Sequence, residues 1–597
     1  MSLRTVYTVL EEAADRYGDL PALCQPAGGG NYRVYSWIEY KQVTAEIAAG
    51  LRTLGIGKGD TVALECETRA EFYLADVGIL ANGSVAAALY RSYPPAQHVH
   101  TLRACGAKAV FVEDSDSLRS LQTACDPPLD VYWIVLTGTA GGAISLDELR
   151  ARGRKSMEES PELFAAIRRE LHPSDPAILY LTSGVTGEPK MAVVSHAALV
   201  ANLDMGPSVL GLTPEDCTIA FLPAAHITQR VVLELLPIVC GMPVWFVESL
   251  GKLPHALRVI RPTIFLAPPR LWERVYTSAR TEIEKRPAFA RKLFYGAVGL
   301  SAEVHRREHE GRTVPRWMRH TLRWADKIAF RPIRARFGDR LRIAVSGAAP
   351  LGKQLAEFYE ALGIPIAEGY GLTEGGIVSL NPLDHPRAGS VGKPLPGIEV
   401  KLADDGELLV KSPSLFTGYY NDPKTTAEVK RDGWLYTGDT AEIDADGFIQ
   451  ITGRKKEVII ASNGKKVFPA RVESLFSLEP IINHVVLFGE GQTYVSALLT
   501  VNAGVADTLK GMERLQGQVT AAPVLAEVKR AVARVNSQLA PFEQIRRYRV
   551  LDRDFTIESG ELTATLKVRR IRVAENFREV IEEMQGINSN AAAAGEP

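Results

Sequence analysis

LYLTSGVTGEPKMAVVSH, from Leu179 to His196, is the stretch on which the reading of this chain turns. An apolar run suited to a buried strand breaks into a loop of hydroxyl residues and glycines, which closes on a lysine before a second β-branched run begins. Gly184 and Gly187 allow close approach of the backbone to a ligand. The backbone N–H groups and the hydroxyls of Thr182, Ser183 and Thr186 are donors for phosphate oxygens, and Lys190 adds a full positive charge. The spacing of a Walker loop is absent, because Pro189 rather than Gly precedes Lys190. A plain Gly/Ser turn between two strands is the bland alternative, so the rest of the chain has to decide.

Outward from this loop, short apolar runs alternate with helix-compatible stretches: TVALECE from Thr61, KAVFVED from Lys108, VYWIVLTG from Val131, PTIFLAPP from Pro262 and RIAVSGAAP from Arg342. That alternation predicts an α/β fold of βα units around mainly parallel, buried sheets. Near Ile451 the texture changes. ITGRKKEVIIASNGKKVFPARVESLF reads as a strand, a charged turn, an Asn-Gly turn and a helix opening after Pro469, and HVVLFGEGQTYVSALLTVN reads as two strands joined by a Gly-containing turn. The expected domains are a large N-terminal one over 1–453, a small α+β one over 454–585, and a disordered polar tail over 586–597.

The 597 residues, 46% of them hydrophobic, suffice for at least two cores. The 69 Lys and Arg against 70 Asp and Glu leave no global field to draw nucleic acid. Six scattered cysteines, without a CxxC pair or a His cluster, read as reduced intracellular thiols. The opening MSLRTVYTVLEEAADRYGD alternates like an amphipathic helix and lacks the apolar core of a secretory signal. A cytoplasmic protein is the expectation. The stretch from Arg270 to Arg342 holds 19 Lys and Arg against 8 Asp and Glu, a charge that suits anionic lipid headgroups on the inner face of a membrane or the phosphate of a small-molecule substrate; a solvated basic face balanced by acidic surface elsewhere is at least as good a reading.

Further motifs follow in order: VSGAAPL from Val345, PIAEGYGLTEGG from Pro365, WLYTGDTAEIDADGFIQITGRKKEVI from Trp434 and GELTATLKVRR from Gly560. Together with TSGVTGEPK they resemble the ordered signatures of the adenylate-forming enzymes, the superfamily of acyl- and aryl-CoA synthetases, peptide-synthetase adenylation domains and firefly luciferase. The phosphate loop departs from the usual TSGTTGxPKG at Val185, where Thr is usual, and at Met191, where Gly is usual.

The resemblance implies ATP, Mg²⁺ and coenzyme A, and it implies roles. Thr182, Ser183, Gly184, Thr186, Gly187 and Lys190 would surround the polyphosphate. Gly347, Ala348 and Ala349 would border the adenine, and Glu368, Gly369, Tyr370 and Gly371 would line the nucleotide, with the Tyr370 ring as the stacking plane. Thr373 would meet the α-phosphate, Glu374 would hold the metal, and Asp439 with Arg454 would hold the ribose hydroxyls. Lys456 would be the hinge on which the small domain is mobile, and Lys567 the catalytic lysine at the reacting oxygens.

For the acid, FLPAAHITQR from Phe221 and RPTIFLAPPRLWERVY from Arg261 resemble segments of fatty-acyl members. His226 would then border the acyl site, and the long helical stretch after Tyr276 is of the kind found in long-chain synthetases. The function implied is activation of a long-chain fatty acid as acyl-adenylate and its transfer to coenzyme A. The rivals are loading of a carrier protein, use of an aryl or medium-chain acid, and a degenerate binder of nucleotide or acyl chains.

Overall fold

A computed structural model describes residues 4–182, 190–509, 514–515, 517–563 and 566–586. Two large sheets form the heart of the first three quarters of the chain. One has eight strands. It runs from the edge pair Gly418–Tyr419 through Lys190–Ser195 and Pro176–Thr182 to Val85–Ala88, Thr61–Glu65, Ala109–Val112, Tyr132–Val135 and Ile144–Ser145. Its middle is parallel, with Val62 opposite Ala86 on one side and Ala109 on the other. These strands are buried along their whole length, which is why they read as unbroken apolar runs rather than as alternation.

The second sheet has nine strands and carries Thr218–Ala220, Ile264–Ala267, Ile343–Ser346 and Ile366–Leu372 in its centre, with an antiparallel hairpin at each edge. One continuous apolar core, including Phe72, Tyr180 and Phe246, joins the two sheets. The loops that follow Thr218–Ala220, Ile264–Ala267 and Ile343–Ser346 at the carboxyl ends of the second sheet's strands line one crevice, the usual place for a ligand in such sheets.

A five-stranded sheet holding Glu407–Lys411, Trp434–Ile443 and Ile449–Arg454 sits against the second sheet. Backbone bonds tie them: Val391 N–H donates to the Ile449 carbonyl and Ile449 N–H to the Gly392 carbonyl, each at 2.8 Å. After Arg454 a single turn, Lys455–Glu457, leads to a second apolar core that begins at Ile459 and includes Leu499, Val528 and Val550. It packs the helix Ala522–Asn536 on a sheet whose strands Ile482–Phe488 and Val495–Val501 are antiparallel, with Ile545–Leu551 parallel to the latter. The fold is thus a large α/β body of βα units and a smaller, separately folding α+β domain. Of the expected tail only Gly586, just after the helix Arg578–Gln585, is described; 587–597 lie outside the described residues.

Gly392 shows how tight the joint is. Its φ is +80°, and a Cβ there would lie 2.0 Å from the Leu380 carbonyl carbon, a backbone group that cannot step aside. Gly392→Ala is expected to destabilise the large body by at least about 1–3 kcal/mol, read as a lower denaturant midpoint for loss of its tryptophan signal with the small domain's transition unchanged.

Candidate active site

A cleft of about 2670 Å³ lies between the large body and the small domain, lined by Phe221 to Pro223 and His226, Gly347 to Ala349, Glu368 to Gly371, Asp439, Arg454, Lys456 and, from the small domain, Lys567. A polar knot within it is built on three strands. Asp439 and Arg454 are register partners on neighbouring antiparallel strands, so the Arg454 guanidinium pairs with the Asp439 carboxylate, its Nε 2.8 Å from Oδ1. From the second sheet the Tyr370 hydroxyl donates to Asp439 Oδ2 at 2.5 Å. Burial raises the Asp439 carboxyl above its ordinary value, opposed by the Arg454 guanidinium. Each carboxylate oxygen keeps a further lone pair for a hydroxyl.

Above this knot the loop after Ile343–Ser346 turns through Ala348 at φ +70°, a left-handed conformation uncommon for a residue with a side chain. Glu368 braces that loop: its buried carboxyl accepts Leu351 N–H at 3.4 Å and Gly389 N–H at 3.2 Å. With only these two backbone donors to set against burial, its pKa is pushed up to about 7.

The phosphate-loop residues divide. Ser183, Gly184, Thr186 and Gly187, with Val185, lie outside the described residues. Thr182 and Lys190 end the two paired strands opposite each other, and the Thr182 hydroxyl donates to the Lys190 carbonyl at 3.2 Å. Lys190 Nζ lies 5.3 Å from the centre of the Tyr419 ring, and the Tyr419 hydroxyl donates to Glu374 Oε1 at 2.7 Å. Thr373 and Glu374 form the half-buried turn between Ile366–Leu372 and Gly376–Leu380. Phe416 N–H donates to the Glu374 carbonyl at 2.9 Å, holding this turn to the segment before Tyr419.

Tyr419 was not singled out from the sequence. Its local signal, a Gly-Tyr-Tyr in a loop, is faint; its place comes from pairing with Ala192 across the sheet edge.

His226 follows the strand Thr218–Ala220, and its Nδ1 accepts the Thr228 N–H at 3.2 Å. The proton of the neutral ring is then on Nε2. Burial, with the Lys567 ammonium second, pulls its pKa down to about 3, so the ring is neutral throughout the physiological range. Lys567 sits at the base of a short turn that it closes with Thr563, its N–H donated to the Thr563 hydroxyl at 3.0 Å and the Thr563 N–H donated to its carbonyl at 2.8 Å. Although it touches the solvent of the cleft, the surrounding protein, and then the Arg454 guanidinium, lower its pKa to about 8, against the pull of Asp439 and Glu457. Lys456 is exposed in the single turn between the two bodies. Among the described residues no three His, Cys, Asp or Glu are grouped to hold a metal.

Comparison with known proteins fits this geometry. Residues 10–420 match the family of AMP-binding enzymes, and residues 456–586 match the C-terminal domain of AMP-binding enzymes. A long-chain-fatty-acid–CoA ligase of Mycobacterium tuberculosis is 34% identical over 553 residues, 90% of this chain and 89% of the relative. A long-chain-fatty-acid–CoA ligase of Bos taurus is 27% identical over 97% of this chain and 85% of its own length. Among solved structures, the adenylation domain of a carboxylate reductase from Mycobacterium chelonae superposes with a TM-score of 0.75 at 22% identity, covering 98% of this chain and 91% of that one. An anthranilate CoA ligase in complex with anthranoyl-AMP gives 0.72 at 20%, covering 96% and 98%.

Tyr419→Phe keeps the ring beside Lys190 and removes the bond to Glu374. The expected result is about a tenfold loss of magnesium–nucleotide affinity, the worth of one hydrogen bond to a charged group, with an unchanged melting temperature. Titration calorimetry with the nucleotide, with and without magnesium, measures it; equal affinities would take Tyr419 out of the site.

Proposed function

The chain belongs to the AMP-binding enzymes, adenylate-forming ligases that activate carboxylic acids, and we propose that it joins a long-chain fatty acid to coenzyme A by way of the acyl-adenylate. The observation that carries this reading is the presence of Lys567, from the small domain, in the same cleft as Tyr370, Asp439, Arg454 and His226. A cation delivered there by a separately folding domain suits a step in which negative charge gathers on the carboxylate and the α-phosphate.

In that step a carboxylate oxygen forms a bond to the α-phosphorus of ATP, and the bond from that phosphorus to the pyrophosphate oxygen breaks with its electron pair. In the second step the thiol of coenzyme A, losing its proton, attacks the carbonyl of the mixed anhydride and AMP departs. The chain's own part is to position and to neutralise. Asp439 and Arg454 suit the ribose hydroxyls, the Tyr370 ring suits the adenine face, and Thr182, Lys190 and Thr373 suit the phosphates. A single carboxylate, Glu374, fits Mg²⁺ that arrives on a polyphosphate and keeps part of its water shell, for which no larger protein cage is needed; there it would offset phosphate charge. Lys567 holds its proton at Nζ beside the reacting oxygens.

Two features favour a fatty acid. The named relatives are ligases of long-chain fatty acids, and the cleft beyond His226 is walled by Phe221, Leu222, Leu266 and Leu271, side chains that reward an alkyl chain for leaving water. Coenzyme A as acceptor rests on the same relatives. A rotation of the small domain about Lys456, after adenylation, would withdraw Lys567 and admit the thiol.

The test is a panel of acids from acetate to C18, with benzoate, incubated with ATP, magnesium and coenzyme A, following AMP and thioester by mass spectrometry. Long-chain acyl-CoA is the expected product. Acyl-adenylate without thioester would move the acceptor to another thiol, and no AMP from any acid would leave only binding. Lys567→Ala is expected to slow adenylation by about a hundredfold or more while sparing thioester formation from added acyl-adenylate. Because the Lys567 ammonium titrates near 8, kcat/KM for adenylation should be level below that pH and fall as the pH rises through it; the alkaline limb should vanish in the alanine variant.

A further inference from the structure

The middle of the basic stretch noted in the sequence folds into a pair of helices, Ala288–His309 and Arg316–Ala325, the second running on through a wide turn at Asp326–Phe330. Their inner sides make a small core of Phe294, Ala297 and Phe330, with Leu322 and Ala325 packed on it. The outer side of the second helix is not what a solvated basic face would show. Trp317 is 64% exposed, Trp324 60% and Ile328 65%. The two tryptophans are seven residues apart, two helical turns, and therefore lie on one side of the helix. Among the described residues they are the only tryptophans so open to water; Trp37 and Trp272 are fully buried.

The charges beside them are also unspent. Arg319 reaches Glu308 at 3.4 Å, but Arg316, Arg323 and Arg331 make no ion pair with any described residue. Lys327 Nζ lies 5.8 Å from the Trp324 ring. An aromatic and aliphatic row that no described residue covers, flanked by cations without an ion pair among the described residues, costs solubility unless something takes it up.

We propose that this helix face, centred on Trp317 and Trp324, docks the enzyme on the surface of an anionic lipid bilayer. Tryptophan prefers the boundary where one end of its ring is apolar and the other wet. Arginines beside it meet lipid phosphates, and Ile328 has the depth of the acyl boundary to enter. A second copy of the chain is a poorer occupant, since a two-fold pairing of this face would set its own cations against each other. Docking here is peripheral: among the described residues no helix is long and apolar enough to cross a membrane. The inference does not depend on which acid is activated, although a bilayer is where a long-chain acid resides.

The test uses the full chain and two double variants, Trp317→Ser with Trp324→Ser, and Arg316→Glu with Arg323→Glu. All four positions are exposed and outside the cleft, so melting temperature and turnover of a water-soluble acid should not change. Sedimentation with vesicles of phosphatidylcholine containing phosphatidylglycerol should carry down the native chain at low salt, with binding lost at high salt and on pure phosphatidylcholine. Each double variant should bind at least about tenfold more weakly, and a lipid carrying a quencher in its acyl chain should dim the fluorescence of the native chain alone. If the native chain stays in the supernatant with anionic vesicles at low salt, or the variants bind as it does, the proposal fails. It fails equally if the tryptophan variant abolishes a dimer, or if the face takes up single-stranded nucleic acid in preference to lipid.

Discussion

The Asp439 carboxylate is the constraint from which the site is built. It accepts a hydrogen bond from Tyr370 on the nine-stranded sheet and forms an ion pair with Arg454 at the end of the last strand before the small domain. Three strands from two sheets therefore converge on two oxygen atoms. Such a carboxylate is costly to bury, and the guanidinium beside it opposes the rise in its pKa, so the geometry is over-determined: moving Tyr370 or Arg454 takes from the buried carboxylate one of its two partners. The same residues fix where the chain leaves the large body, because Arg454 is followed at once by the single turn that leads to the second core.

Burial has opposite effects on the groups around this knot, and together they sort the protons of the cleft. The His226 ring is neutral because losing water disfavours its cation and Lys567 repels it. Lys567 loses affinity for its proton for the same two reasons, with Arg454 as the neighbour. Glu368 moves the other way. A cleft crowded with cations and stripped of water is prepared for a polyanion, whose arrival would restore the proton to Lys567 and offset what the empty arrangement costs.

Much of this was legible in the chain alone, for a physical reason. Strands buried on both faces, such as Thr61–Glu65 and Ile264–Ala267, leave continuous apolar runs, and the Gly- and hydroxyl-rich loop after Pro176–Thr182 and the Gly-Ala loop after Ile343–Ser346 announce themselves by composition. Lys567 and Asp439 stood out by motif resemblance. Other features depend on long-range register, which no local pattern records: Tyr419 joins Lys190 to Glu374 only because Gly418–Tyr419 adds itself to the edge of the phosphate-loop strand. The exposure of Trp317 and Trp324 was equally hidden, since a tryptophan on a helix reads as core until the packing shows which side faces inward.

Behind the cleft a second buried charge cluster extends the same logic. Arg230, four residues after His226, is fully buried, pairs with Asp76, and lies with its guanidinium 5.4 Å from the centre of the Tyr180 ring. Glu234, one turn on, is as deeply buried, and burial with Asp76 as neighbour raises its pKa well above the ordinary carboxyl value. One cation and two carboxylates would leave net charge in the core; holding Glu234 protonated leaves Arg230 and Asp76 as a balanced pair. Tyr180 belongs to the strand that enters the phosphate loop, and residues 229–235 form a wide helical turn of the kind often kept near working sites. Arg230 therefore ties the segment carrying His226 to the helix Ala70–Ala81 through Asp76, and to the strand carrying Thr182 through the Tyr180 ring. An apolar pair of similar volume would pack there at less desolvation cost, but it would not fix the direction in which the two segments face each other. That direction is what a site drawing its walls from several separate strands requires.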